Sequence, residues 1–147
     1  MESWKAKLII VGVDGSDASV DAASVAASLA RSAGARLHIV TVVKPPEGWW
    51  GIIESPPTAS ALGNALEEAQ RKVLDLTTSR VDLDGIEYET VEEIGDPGRA
   101  LAGYCEQHEA DLLVIGRHGA GLFDRLTIGS VTHRLLHDAP CPVMVVP

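Results

Sequence analysis

The constraint that most limits how this chain can fold is an alternation: short apolar, β-branched runs separated by segments with helical start and stop signals. Lys7 to Val13 (KLIIVGV) is nearly continuous in apolar residues, the pattern of a central parallel strand covered on both faces. Ser16 and Asp17 can cap the Ala-rich segment that follows to about Ser32, and Gly34 supplies a left-handed stop. Arg36 to Val43 (RLHIVTVV) reads as a second strand, ended by Pro45 and Pro46. From Lys44 to about Thr58 the prolines, glycines and the adjacent Trp49 and Trp50 predict a long loop. Leu62, Leu66, Ala69, Val73 and Leu76 then fall on one stripe of an amphipathic helix ending near Arg80.

Ile86 to Ile94 has mixed alternation and predicts a strand near a sheet edge. Asp96-Pro97 offers a capping side chain and a preset φ for a third helix, to about Gln107 or His108, which Gly98 and Gly103 weaken. Asp111 to Gly116 is a short buried strand, Ile128 to His137 a fourth helix and Pro142 to Val146 a last strand. The order βαβαβαβαβ, with right-handed connections, predicts a doubly wound α/β fold: a parallel sheet with helices on both faces.

The 147 residues suit one domain spanning 1–147. A formal charge of −9 argues against nucleic acid as a partner, since phosphate contacts on that scale need clustered Lys and Arg. Any phosphate site must therefore be local and largely built from backbone. Apolar runs such as Leu8 to Val11 and Leu112 to Ile115 fall far short of the roughly 20 residues that span a bilayer. The start, Met1-Glu2-Ser3-Trp4-Lys5, has no export signal, so a cytoplasmic protein without membrane partners is expected. Cys105 and Cys141 are too few for a disulfide framework and lack zinc-site spacing.

In open α/β sheets ligands bind beyond the carboxyl ends of the strands, where the strand order reverses. Two strand ends stand out: Gly12-Val13-Asp14-Gly15-Ser16, and Gly116-Arg117-His118-Gly119 continuing to Gly129-Ser130 at a helix start. Gly116 and Gly119 allow positive φ and close backbone approach, so the loop can turn N–H groups toward an anion. Gly129, Ser130 and Val131 present N–H groups at a helix N-terminus, where the dipole favours phosphate. Arg117 and Arg125 can screen its charge. On the glycines alone, a purely structural turn competes evenly with this phosphate cradle. Neither GxxxxGK[ST] nor an early GxGxxG is present.

Read as a whole, Gly116-x2-Gly119-x9-Gly129-Ser130 resembles the ATP-binding signature of the universal stress protein family. The opening IIVGVDGS, the IGDPGRAL and ADLLVIGRHG segments and the ending GSVTHRLLHDAPCPVMVVP extend the resemblance over nearly the whole chain. It implies a five-stranded parallel sheet of order 3-2-1-4-5 that binds ATP with Mg²⁺ in a stress-response role. Asp14 then matches the acidic residue near the ribose and metal side, with Gly12 and Val13 before it. Val42 matches the residue whose backbone meets adenine, and Gly116, Gly119, Gly129 and Ser130 match the phosphate loop. Arg117 stands where family loops often have a small polar residue. The resemblance also implies a homodimer, often through the last strand; here that strand is Pro142 to Val146, apolar on both faces and otherwise an exposed edge.

The remaining chemistry-bearing residues have plainer readings. His133 and His137, four apart, lack a third metal ligand and read as surface or dimer-face residues. His118 reads as a solvated loop residue and His38 as part of the second strand. Cys141, between Pro140 and Pro142, has no adjacent base and reads as packing. Trp49 and Trp50 suit a lid or a dimer contact better than base stacking. Glu87, Glu89, Glu92 and Glu93 read as a solvated strand face. No water-activating base or dedicated catalytic Lys accompanies the loop, which favours a regulatory binding protein with slow ATP hydrolysis at most. Two alternatives remain: an ATP-using or adenylating enzyme, whose usual Ser-Gly-Gly or His-x-Gly-His motifs are absent, and a nucleotide-independent module for a protein partner.

Overall fold

The computed structural model describes residues 3–45, 56–117 and 129–147. Its elements run β1 (Leu8–Gly12), α1 (Asp17–Ala33), β2 (Arg36–Val43), α2 (Pro56–Arg80), β3 (Tyr88–Ile94), α3 (Pro97–Gln107), β4 (Leu112–Gly116), α4 (Ser130–Asp138) and β5 (Val143–Val146). All five strands are parallel, in the order β3-β2-β1-β4-β5. Register pairs Ile9 with Leu37 on one side and with Leu112 on the other. The chain therefore winds outward from β1 to β3, returns, and continues on the far side, so the order reverses between β1 and β4. That reversal opens a crevice at the strand carboxyl ends.

Alternation sorts the side chains of each strand to two cores. Ile9, Val11, Leu37, Ile39 and Val114 join the face covered by α1 and by Leu74 of α2. Leu8, Ile10, Val40, Leu113 and Ile115 join the face covered by α3 and α4, with Leu101, Tyr104 and Leu135.

Local signals set several helix ends. Ser16 is the N-cap of α1, its hydroxyl accepting from Ser19 N–H at 3.2 Å, and Gly34 closes the helix at φ 67°. Asp96 caps α3 by accepting from Arg99 N–H at 3.1 Å, with Pro97 opening the helix. β3 lies at the edge, as its mixed pattern predicts.

Helix α2 departs from expectation twice. It begins at Pro56, inside the expected loop, where the first turn tolerates proline because its N–H would be unpaired anyway. Its inward face also differs: Gln70, Leu74 and Thr77 are buried, whereas Ala69 and Leu76 are exposed. Polar side chains take inward positions because each finds a carbonyl. The Gln70 amide donates to Thr41 O and Glu93 O at 3.4 and 2.6 Å, bridging the ends of β2 and β3, and Thr77 Oγ1 donates to Val73 O at 2.8 Å.

Gly98 is buried rather than simply weakening: a Cβ there would lie 2.8 Å from Arg134 Cδ, so its absence lets the Arg134 stem cross the start of α3. Arg134 then reaches Asp96 at 3.6 Å and Asp138 at 3.5 Å, tying α4 to the head of α3.

Candidate functional site

A cavity of about 340 Å³ opens at the reversal point, within the roughly 300–1,000 Å³ span of small-molecule sites. One wall is apolar: Val40 and Val42 from β2, Pro97 and Leu101 from α3, and Ile115 from β4. β1 ends its pairing with Val13 N–H donating to Val40 O at 2.9 Å, while β2 runs on to Val43 beside β3, which carries Val42 past the end of β1. Leu101 packs so close to β1 that a Cβ on Gly12 would lie 2.8 Å from its Cδ1, so glycine at 12 lets α3 seat this wall.

The rest of the lining includes Gly12, Val13 and Asp14 at the end of β1, Gly116 at the end of β4, and Gly129, Ser130 and Val131 at the head of α4. Gly129 is the N-cap of α4, and among the described residues no side chain caps the helix there. N–H groups of the first turn thus sit at the cavity with the positive end of the helix dipole. Gly129 N–H donates to Arg117 O at 3.0 Å, and Thr132 Oγ1 donates to Gly116 O at 2.9 Å, so α4 is stitched to the end of β4. Arg117 N–H donates to Val146 O at 2.8 Å, continuing the β4–β5 ladder.

Asp14 is exposed at the rim. Its Oδ1 accepts from Ser16 N–H at 3.0 Å and from Ser16 Oγ–H at 2.6 Å, an Asx-type turn that aims the strand end toward α1. Gly15 in that turn has φ 86°, a conformation that favours glycine.

One expectation about the glycines needs correction: Gly116 does not have positive φ. Gly129 sits at φ −60°, ψ 154°, at the helix start where it was expected. Gly116 is required for a different reason: a Cβ there would lie 2.9 Å from the backbone carbon of Ala18, so glycine lets α1 press against the end of β4. Gly119, Arg125, His118, Trp49 and Trp50 lie outside the described residues.

The structure thus brings Gly12, Val13, Asp14, Val42, Gly116, Gly129, Ser130 and Val131 to one cavity. Sequence reasoning missed Pro97, Leu101 and Thr132 as wall residues. The available signal was IGDPGRAL, where Pro97 and Leu101 lie one helical turn apart on α3. His133 and His137 are exposed with ring centroids 5.0 Å apart, and no group of three His, Cys, Asp or Glu suited to a metal occurs among the described residues. No helix among those residues is long and apolar enough to cross a membrane.

Away from the cavity, His38 is a buried polar centre that strand patterning did not disclose. Its Nε2 lies 3.0 Å from the Glu89 carboxylate and its Nδ1 2.7 Å from Tyr104 Oη. A carboxylate only accepts, so Nε2 carries the proton and Nδ1 accepts from the tyrosine hydroxyl. Burial lowers the His38 pKa from its ordinary value; the Glu89 carboxylate works against this, while His108 and Arg36 add to it. Burial also raises the Tyr104 pKa, with Glu89 and Glu93 adding to the effect, which keeps its hydroxyl a donor.

Residues 5–147 match the model of the universal stress protein family. The chain belongs to that family. As a universal stress protein it is 33% identical to a family member from Thermus aquaticus over 141 residues, covering 95% of this chain and 98% of the relative. It superposes on the universal stress protein UspA of Lactobacillus plantarum with a TM-score of 0.77 at 26% identity, covering 99% of this chain and 100% of the other. A universal stress protein solved in complex with cAMP matches with a TM-score of 0.67 at 26% identity, covering 97% of each chain. The parallel sheet of order 3-2-1-4-5 is the family architecture in this universal stress protein too.

Proposed function

We propose that this universal stress protein is a regulatory adenine-nucleotide binder, taking ATP with Mg²⁺ in the cavity between β1 and β4. The observation that carries the reading is that an apolar slot and the N-terminus of α4 open into the same space. Val40, Val42, Pro97, Leu101 and Ile115 suit the faces of a purine, which gains from leaving water. The N–H groups at the head of α4 suit the phosphates, with Ser130 Oγ as an added donor. Asp14 stands at the rim on the side where a ribose and a nucleotide-bound cation would lie. Bound Mg²⁺ would supply charge neutralisation between phosphate oxygens. The related protein solved with cAMP supports an adenine ligand.

The lining residues favour binding over turnover: neither a His nor a Lys borders the cavity among the described residues. Nucleotide occupancy would act through contacts with a second copy or a protein partner in the cytoplasm. β5 is the uncharged edge strand suited to pair with its symmetry mate, and Met144 on it is exposed.

The test is to denature purified protein, identify any released nucleotide, and titrate the emptied protein with ATP, AMP and cAMP, with and without Mg²⁺, while sedimentation follows the oligomeric state. Micromolar binding, about −8 kcal/mol, is expected. Gly129→Val should remove it and leave the fold intact, because valine tolerates the φ and ψ at this position. Normal ATP binding by that variant would refute the α4 assignment. A wild-type protein that binds no adenine nucleotide but holds a protein partner would favour the interaction-module reading, and ATP turnover above about one per second would favour an enzyme.

A further inference from the structure

Strand β2 and helix α3 meet in successive rungs along one strip of the open face. His38, Val40 and Val42 alternate onto the same side of β2, and Leu101 and Tyr104, one turn apart on α3, belong with Val40 to one core cluster. Val40, Val42 and Leu101 line the cavity, whereas His38 and Tyr104 form the next rung beneath it. There Tyr104 Oη stands 2.7 Å from His38 Nδ1, with His38 5% and Tyr104 6% exposed. Among the described residues no other side-chain hydrogen bond joins β2 to α3, and the Tyr104 hydroxyl has no second partner.

We propose that His38 and Tyr104 are positioning residues for the nucleotide. With His38 neutral, their hydrogen bond fixes the spacing of β2 and α3 that seats adenine; protonation of His38 loosens that spacing, so affinity falls in acid. The inference rests on the adenine-nucleotide reading of the cavity.

Donor and acceptor roles set the direction. Neutral His38 gives its Nε2 proton to Glu89, 3.0 Å away, and accepts the Tyr104 hydroxyl proton at Nδ1. An imidazolium has no acceptor, so the hydroxyl must turn to accept from it, and its own hydrogen is left without a partner in the core. Glu89 gains an ion pair, but its side chain is 68% exposed and water screens that gain. The loss falls on Tyr104 in the dry interior, and α3 is the element that yields.

The other groups facing the pair do not reverse this. Arg36 on β2 and His108 on α3, its ring 5.7 Å from that of His38, both disfavour the imidazolium, and the β1 register partner is the apolar Ile10. Tyr104 is faced by Glu89, Glu93 and Cys105, and the His108 ring stacks on it at 4.1 Å. Burial holds the His38 pKa below its ordinary 6.5, so the ring is neutral at pH 7.5 and takes up its proton only in acid.

The test measures the affinity of the full chain for ATP with Mg²⁺ by calorimetry at pH 7.5 and pH 5, in wild type, His38→Gln, Tyr104→Phe and His108→Gln, with circular dichroism checking the fold at each pH. Titration of the ligand itself is common to all four and cancels. Wild type should lose about tenfold more affinity between the two pH values than His38→Gln does. Tyr104→Phe, which has no hydroxyl to leave unpaired, should show the same small loss as His38→Gln, and His108→Gln the full one. By reciprocity, saturating nucleotide should move the NMR titration midpoint of the His38 ring in wild type to lower pH. This last measurement decides the matter even if a variant fails to fold. Equal pH responses in wild type and His38→Gln, a response that follows His108, or an unmoved His38 midpoint would overturn the proposal, while ATP binding at pH 7.5 leaves the nucleotide reading standing. Absence of ATP binding at pH 7.5 would overturn that reading and this proposal with it.

Discussion

The two faces of the sheet are packed on different plans. Against α1 the buried residues are mostly alanines: Ala22, Ala23, Ala26, Ala27 and Ala30 are all 0–1% exposed. Small side chains bring the helix so near that even a Cβ on Gly116 would strike the Ala18 backbone. Against α3 and α4 the contacts are made by Leu101, Tyr104 and Leu135, and the buried polar groups His38 and Thr132 lie on that side with the cavity. The cavity on the α1 side, lined by Ile9, Leu29, Ala33 and Leu112, is about 180 Å³, whereas on the other side larger side chains and two helix N-terminal ends border the space of about 340 Å³.

The largest effect should come from removing an anchor on the open face. Leu135 is fully buried and seats α4, so Leu135→Ala should cost about 3 kcal/mol in urea unfolding and weaken ATP binding as α4 loosens. A cost below 1 kcal/mol would mean that α4 is held chiefly by its polar ties.

A matched pair sets one face against the other. Ala26→Leu should cost about 2 kcal/mol, because α1 has no space for three added carbons. Ala102→Leu, on half-buried Ala102 of α3, should cost less than about 1 kcal/mol. Equal costs in parallel denaturation curves would erase the distinction between the faces.

The smallest effect is a pH dependence confined to the open face. His38 has a lowered pKa in the folded chain, so below its ordinary value of 6.5 the unfolded chain binds more protons than the folded one. The His38 contribution is thus fully present above pH 6.5 and is lost as pH falls from there through the folded value. His38→Gln, which cannot titrate, should flatten the stability profile between pH 7.5 and 5.5 relative to wild type; an unchanged slope would assign the dependence to another group.

Which parts were legible follows from the range of the forces involved. β2 runs from Arg36 to Val43 as expected, because a β-branched run ended by prolines needs no distant partner to declare itself. Ser16, Gly34 and Asp96 end or begin helices as read, since caps are contacts within one turn. The cavity residues of β1 and α4 were legible through glycines at strand and helix ends, but Pro97 and Leu101 were not, because an apolar helix face looks the same whether it meets a core or a ligand.

The sequence by itself determined the alternating elements, the parallel sheet, the family and the two chain segments that meet at the cavity. Only the tertiary structure decided which way α2 turns its face, why Gly116 must be glycine and where His38 finds its partners. The division has one physical cause. Periodicity and capping act over a few residues, whereas burial, close approach and polar pairing depend on atoms as far apart in the chain as His38 and Tyr104, which only the packed sheet brings together.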